Sequence, residues 1–286
     1  MNSLILGIDA GNFKAKVAGP YGIDSFKTNI CGWFERDVDD KFGDDDMEFF
    51  IDGRKGFAGS IAEHEDEFGN GTIYGESKAH SETKIRALLA IHRYLEKYNV
   101  DADTIRIVTG QPIIMHKEDE KNKIINMLRG EHKYTVNGKK RKIIIEDVKV
   151  TPEGTGAFWS APIAGTVRVL DIGSGTVNMV TLMDKKHIHK SSGTMNKGME
   201  TLKTKDDLEG MARGIVQITT KLQWKPTDTV LVCGGAAEAL IKYLQQHYIN
   251  ATLINPQLKR EHDILSTKPV YANAVGFYNL ARVVYS

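Results

Sequence analysis

The chain has 286 residues, more than one typical hydrophobic core fills and enough for two. Apolar residues make up 41% and charged residues 26%, the balance of an ordinary globular protein. A formal net charge of +1 argues against broad, unaided DNA binding, which needs a basic excess on one face.

The first strand is expected within four residues of Met1, which leaves no room for a signal peptide. It runs Leu4-Ile5-Leu6-Gly7-Ile8-Asp9, turns at Ala10-Gly11-Asn12, and returns over residues 13–19. Residues 23–30 suit a third strand. Residues 35–48 are acidic, with Asp44-Asp45-Asp46, but lack the glycine and distal glutamate of a calcium loop and are expected as a solvated loop. Residues 49–58 read as a hairpin turning at Asp52-Gly53. Residues 28–78 are therefore expected to form a small subdomain inserted into the first half.

A helix is predicted over residues 81–98, N-capped by Ser81, with Ile85, Leu88, Leu89, His92 and Leu95 on one face. His92 on that face reads as a core or edge histidine with its hydrogen bonds satisfied. A strand over 104–110 and a helix over 117–128 follow. Residues 134–145 form a hairpin around Asn137-Gly138. Its basic run, Lys139-Lys140-Arg141-Lys142, reads as a charged strand end that resists edge pairing rather than as a nucleic-acid surface. A strand over 148–152 ends in the corner Pro152-Glu153-Gly154, before a short helix through Ser160.

The second half opens as the first does. Val167-Arg168-Val169-Leu170-Asp171 ends in Asp171-Ile172-Gly173, turns at Ser174-Gly175-Thr176 and returns from Val177. His187-Ile188-His189 alternates like a strand and has no third ligand in view, which argues against a metal. Residues 199–204 and 206–222 are predicted helical. Thr229-Val230-Leu231-Val232-Cys233 is a buried-type strand, followed by Gly234-Gly235 and a helix over 236–248. The last helix is predicted over 272–284, with Ala274, Gly276 and Ala281 small enough to pass close to a strand. Cys31 and Cys233 sit in apolar stretches without CxxC spacing, as free thiols of a reducing compartment do. No apolar run approaches the ~18 residues of a transmembrane helix. A soluble cytoplasmic protein is expected.

The two Asp-x-Gly hairpins carry the chemistry. A strand-turn-strand with glycine at its turn exposes backbone N–H groups that can bind phosphate oxygens. An aspartate at the strand end can hold the Mg²⁺ that travels with those phosphates, usually through water. A double glycine after a third strand lets backbone approach a flat ring or sugar. Either hairpin alone is an ordinary turn. The order of hairpin, second hairpin and Gly-Gly turn is what points to a nucleotide gripped between two related halves.

That order resembles the actin-like ATPases, the superfamily that also holds sugar kinases and DnaK-type chaperones. The resemblance spans nearly the whole chain. It implies an α/β, actin-like fold, a duplicated ribonuclease H-like unit forming two halves around a nucleotide cleft. The halves would be 1–161 plus 272–286, with the inserted subdomain IB at about 28–78, and 162–271. The stretches Phe50-Ile51-Asp52-Gly53, Val108-Thr109-Gly110-Gln111-Pro112 and Val150-Thr151-Pro152-Glu153 look like plasmid-segregation actins of the ParM/StbA kind. The short interval from Asp171 to Gly234 resembles the reduced Alf-type members, which lack subdomain IIB.

The resemblance implies roles. Asp9 and Asp171 would hold Mg²⁺. Gly11, Asn12, Gly173, Ser174, Gly175 and Thr176 would cradle the phosphates of ATP or GTP, with Lys16 or Lys14 reaching them. Glu153 would polarise the attacking water, and Gly234, Gly235 and Glu238 would meet the nucleoside. The implied function is filament formation for DNA segregation, with a second copy of the chain and a small DNA-binding adaptor on a centromere-like site as partners. Neither direct sequence-specific DNA binding nor a membrane partner is expected. Asn12 departs from the usual Ser or Thr and supplies an amide but no hydroxyl. A small-molecule kinase on the same fold is the alternative, but no added substrate domain is visible. A chaperone ATPase would need a substrate-binding domain after the last helix.

Overall fold

Asp9 and Asp171 each lie near the end of the third strand of a five-strand path that the two sheets have in common. The computed structural model describes residues 3–38, 40–66, 77–199 and 207–285. The first sheet holds β1 (Leu4–Ala10), β2 (Lys14–Gly19), β3 (Gly22–Lys27), β4 (Ile30–Gly32), β5 (Met47–Ile51), β6 (Arg54–Ala58), β7 (Thr104–Gln111), β8 (Gly130–Val136) and β9 (Lys139–Pro152). Its order is β3-β2-β1-β7-β9-β8-β5-β6-β4. The second holds β10 (Thr166–Ile172), β11 (Val177–Met183), β12 (Lys186–His187), β13 (Gly193–Met195), β14 (Thr229–Cys233) and β15 (Asn250–Leu253). Its order is β12-β11-β10-β14-β15, with β13 also on β11.

The path β3-β2-β1-β7-β9 and the path β12-β11-β10-β14-β15 are the same motif. Each is an antiparallel three-strand meander followed by two parallel strands. This is the duplication expected from the paired Asp-x-Gly segments. A small hairpin of β16 (Gln257–Lys259) and β17 (Ile264–Ser266) stands apart.

Seven α-helices are described, α1 (Ser60–Glu65), α2 (Ser81–Lys97), α3 (Glu118–Leu128), α4 (Thr155–Phe158), α5 (Leu208–Lys221), α6 (Ala237–Leu244) and α7 (Ala272–Tyr285). The helix α2 buries Ile85, Leu88, Leu89 and Leu95 against the first sheet. The helices α5 and α6 bury Met211, Ile215, Leu240 and Leu244 against Val230 and Val232 of the second. Each sheet therefore has a core of its own, and a third cluster of Phe158, Val167, Val169 and Leu182 lies between α4 and the second sheet. Among the described residues no helix is long and apolar enough to cross a membrane.

Several local expectations change. The N-cap of α2 is His80, whose extended backbone suits that position and whose ring accepts the Thr83 N–H; Ser81 is already helical. Asp45 and Asp46 are not merely solvated. They accept the N–H groups of Ser60 at 3.2 Å and Ile61 at 2.7 Å, so this acidic loop caps α1. His92 is buried without a partner for Nδ1 among the described residues, and burial drives it down to about 4, which keeps the ring neutral. His189 begins a 3₁₀ turn rather than continuing a strand. The helix α6 stops at Leu244, short of the predicted end. Residues 200–204 and 206 of the predicted helices lie outside the described residues.

Both short hairpins turn as their dipeptides predict, with Asp52-Gly53 and Asn137-Gly138 at positive φ. The basic run stands where β9 has an open side, because residues 139–143 pair with β8 alone and β7 joins only from Ile144. Glu96 pairs with Lys139 and Arg141, and Glu131 with Lys142. The interval between β11 and β14 holds β12, a 3₁₀ turn, β13 and α5, so subdomain IIB is missing among the described residues.

The last helix, α7, runs against β1, β7 and α4. Its close approach depends on glycine on both sides. A Cβ at Gly7 would lie 2.2 Å from the Tyr278 N, and one at Gly276 would lie 1.8 Å from the Gly156 O. These obstructions are backbone and cannot swing away. Gly276→Ala should therefore cost roughly 3 kcal/mol of folding stability, read as a fall in the urea midpoint. An unchanged midpoint would mean that the α4–α7 seam yields freely.

Candidate functional site

A cavity of about 600 Å³ lies where the ends of the two meanders face each other. Asp9, Gly11, Asn12, Lys14 and Lys16 reach it from the first hairpin. Asp171, Gly173, Ser174, Gly175 and Thr176 reach it from the second. Glu153 enters from the corner after β9, and Gly234 and Gly235 from the turn after β14. Glu238 is the one predicted residue that does not line it; it is exposed on α6, beside Ala239, which does.

The first hairpin is built by register. Asp9 and Lys16 are opposed across β1 and β2, and Lys16 Nζ lies 3.0 Å from Asp9 Oδ2. Arg86 of α2 donates to Asn12 Oδ1 at 2.9 Å, and Thr28 donates to the Asn12 carbonyl at 2.6 Å, which pins the turn. Lys14 points to the same cavity and makes no ion pair among the described residues. In the second hairpin the position opposite Asp171 is Asn178. Gly173 N–H donates to Thr176 O at 2.9 Å and closes that turn. Among the described residues the amides of Ser174, Gly175 and Thr176 have no acceptor, so they are open to an anion.

Glu153 joins the two hairpins. Its Oε2 accepts from Asn178 Nδ2 at 3.1 Å, and its Oε1 pairs with Lys78. Asn273, at the start of α7, donates to Asp171 Oδ2 at 2.8 Å and accepts the Gly154 N–H at 3.1 Å. Gly234 has φ +93°, and a Cβ there would meet the Ile172 O at 2.3 Å, so only glycine lets this turn pass the second hairpin. Ala236, Ala239, Pro269 and Val270 give that end of the cavity an apolar wall.

Lys78, Asn178 and Asn273 were not singled out by sequence reasoning. Asn178 had a signal, a polar residue inside the apolar run Val177-Asn178-Met179-Val180. Lys78 had none, since a lone lysine before a helix reads as surface.

Three carboxylates and two ammonium groups meet in buried surroundings. Burial raises the Asp9 carboxyl, but Lys16 and Lys78 outweigh it and hold Asp9 below its ordinary value. Burial, then Glu153 and Asp9, pushes Asp171 up to about 6 against the hydrogen bond from Asn273. Burial also lifts the Cys233 thiol well above its ordinary value, reinforced by Asp171. Among the described residues no three His, Cys, Asp or Glu side chains converge as a self-contained metal site. Asp9 and Asp171 instead offer two carboxylates to one cavity, a donor set that suits Mg²⁺ brought in by phosphates.

The Asp171 value fixes a pH dependence. Its folded value lies above the unfolded one, so its contribution is complete below about pH 4 and is lost as pH rises through about 6. Asp171→Asn stays neutral throughout. Between about pH 4 and pH 7 the variant should lose about 2 kcal/mol less stability than the wild type, read from urea unfolding across that range. Parallel pH profiles for the two proteins would refute the raised value.

Residues 7–156 match the family described as actin-like proteins, N-terminal domain. No curated protein matches the chain significantly. Among solved structures, an AlfA filament bound to AMPPNP is similar at 19% identity and a TM-score of 0.77, over 99% of this chain and 100% of that one. A filament of AlfA from the B. subtilis plasmid pLS32 is similar at 20% identity and a TM-score of 0.77, over 96% and 97%. The apo pSK41 ParM protein is similar at 18% identity and a TM-score of 0.73, over 99% and 98%. The duplicated meander, the cleft with a carboxylate from each half and these full-length likenesses agree, and the chain belongs to the actin-like proteins.

Proposed function

We propose that this chain is a cytoplasmic, nucleotide-dependent, polymerising actin-like protein of the plasmid-segregation kind. It binds ATP or GTP with Mg²⁺ between its halves and hydrolyses the nucleotide as its filaments turn over. The observation that carries this reading is that Asp9 and Asp171, from equivalent strand ends of two sheets, open onto one cavity. The halves are 1–161 plus 272–286, with the inserted subdomain at about 28–78, and 162–271. The filament form of similar AlfA and ParM structures supports self-association.

Asp9 and Asp171 would hold the Mg²⁺. When bound, the ion neutralises the phosphate charge. The backbone amides of Gly11, Asn12, Gly173, Ser174, Gly175 and Thr176 cradle the phosphates, and Lys14 and Lys16 add charge. Gly234 and Gly235 let the nucleoside lie against backbone. Glu153 orients the attacking water; its place at the corner between halves and its bond from Asn178 support that role. In-line attack on a terminal phosphate needs little beyond positioning and charge neutralisation. Cargo is attached through a small DNA-binding adaptor bound to a centromere-like site, since a net charge of +1 gives little DNA affinity by itself.

Two measurements test the reading. Glu153→Ala should lower turnover by about 10²-fold without loss of nucleotide affinity by calorimetry, because the carboxylate acts on water. Lost affinity with unchanged turnover would assign Glu153 to structure. In sedimentation and negative-stain microscopy, the protein should form filaments with ATP, GTP or a non-hydrolysable analogue and stay largely monomeric without nucleotide. A strict monomer under every condition would remove the polymerising reading and favour the kinase one.

A further inference from the structure

Lys78 is a buried cation at the centre of the cleft, and its partners are the oxygens a divalent cation would seek. Its ammonium pairs with Glu153 Oε1 and lies 3.9 Å from Asp9 Oδ1. Its side chain is 10% exposed, and those of Glu153 and Asp9 are 8% exposed. Both acids are held from their other sides, Glu153 by Asn178 and Asp9 by Lys16. Asp171 completes the acidic group and feels the charge of the other two. Removing a cation from such a buried cluster leaves uncompensated charge, which is strongly destabilising.

The route by which Lys78 arrives matters. Lys14 and Lys16 come from the phosphate hairpin itself. Lys78 comes from the connection ahead of α2 and reaches the corner carboxylate. Its backbone is anchored on both sides, by Ser77 Oγ donating to Glu120 at 2.7 Å and by the His80 cap of α2. Its four-carbon stem can rotate from that anchor without disturbing the helix.

We propose that Lys78 is an internal counter-cation that competes with Mg²⁺ for the Asp9–Glu153 carboxylates and holds Glu153 in an ion pair until a Mg²⁺-nucleotide displaces it. This rests on the nucleotide reading of the cleft. An ammonium about 4 Å from Asp9 raises the local potential against a divalent ion drawn to the same carboxylate. Displacement frees Glu153 for its water. The ion pair then acts as a latch, so Mg²⁺ alone does not occupy the cleft and Glu153 is released only when Mg²⁺ arrives with phosphates.

The test compares wild type with Lys78→Met, which keeps stem length and removes the charge. Thermal unfolding is followed against millimolar MgCl₂ without nucleotide. Mg²⁺ alone should raise the Tm of the variant by about 3 °C or more and leave the wild type unmoved. Nucleotide affinity is measured by calorimetry in Mg²⁺ and in EDTA. The ratio of Kd in EDTA to Kd in Mg²⁺ should be about tenfold larger in the variant. Equal Mg²⁺ responses in the two proteins overturn the proposal. So does an equal loss of affinity in Mg²⁺ and EDTA, which would make Lys78 a phosphate ligand. If Lys78→Met does not fold, Lys78→Gln, which keeps a hydrogen-bond donor for Glu153 and removes the charge, must show the same Mg²⁺-dependent gain in Tm; its absence overturns the proposal equally. A wild type that binds no nucleotide in either buffer refutes the nucleotide reading, while the Mg²⁺-only comparison still decides the role of Lys78.

Discussion

The cleft depends on side chains that cross from one half to the other. Glu153 leaves the corner of the first sheet and takes a hydrogen bond from Asn178 of the second. Asn273 bonds Asp171 of the second sheet and the Gly154 amide of that corner. Each bond is buried, and each, if broken, leaves a desolvated polar group worth about 1–3 kcal/mol. The corner, the second hairpin and the start of α7 are thereby held as one unit. The small-residue seam of Gly7, Gly156 and Gly276 brings α7 close enough for Asn273 to reach.

The site is symmetric in backbone and asymmetric in charge. Asp9 is opposed by Lys16, and Asp171 by Asn178, at equivalent register positions. Lys16 and Lys78 hold the Asp9 carboxyl low, while burial and then Glu153 push Asp171 up. The duplicated meander supplies the frame, and Lys16 with Lys78 supplies the positive charge on the Asp9 side.

The economy of the second half has a structural consequence. Between β11 and β14 the described chain spends its length on two short strands, a 3₁₀ turn and α5. Ala236, Ala239, Pro269 and Val270 then form the wall near the Gly-Gly turn. Among the described residues, apolar side chains and backbone face that end of the cavity.

The sequence by itself determined the features that are local. Asp-x-Gly with apolar flanks specifies a strand, a turn and a strand, and two copies in order announce the duplication. Asp52-Gly53 and Asn137-Gly138 specify hairpins because both central residues must take positive φ. Helical periodicity located α2, α5 and α7, within a few residues at their ends. The tertiary structure decided what depends on distant residues meeting. Ser81 lost the cap to His80 because backbone direction, not residue type, sets where α2 begins. Asp45 and Asp46 became caps of α1 through a contact no local pattern encodes. Glu238 fell outside the cavity because the pitch of α6 turns Ala239 inward instead. Lys78 shows the limit most plainly. A lone lysine has no period and no spacing, and only the convergence of two sheets on one buried acidic pocket makes it part of the site.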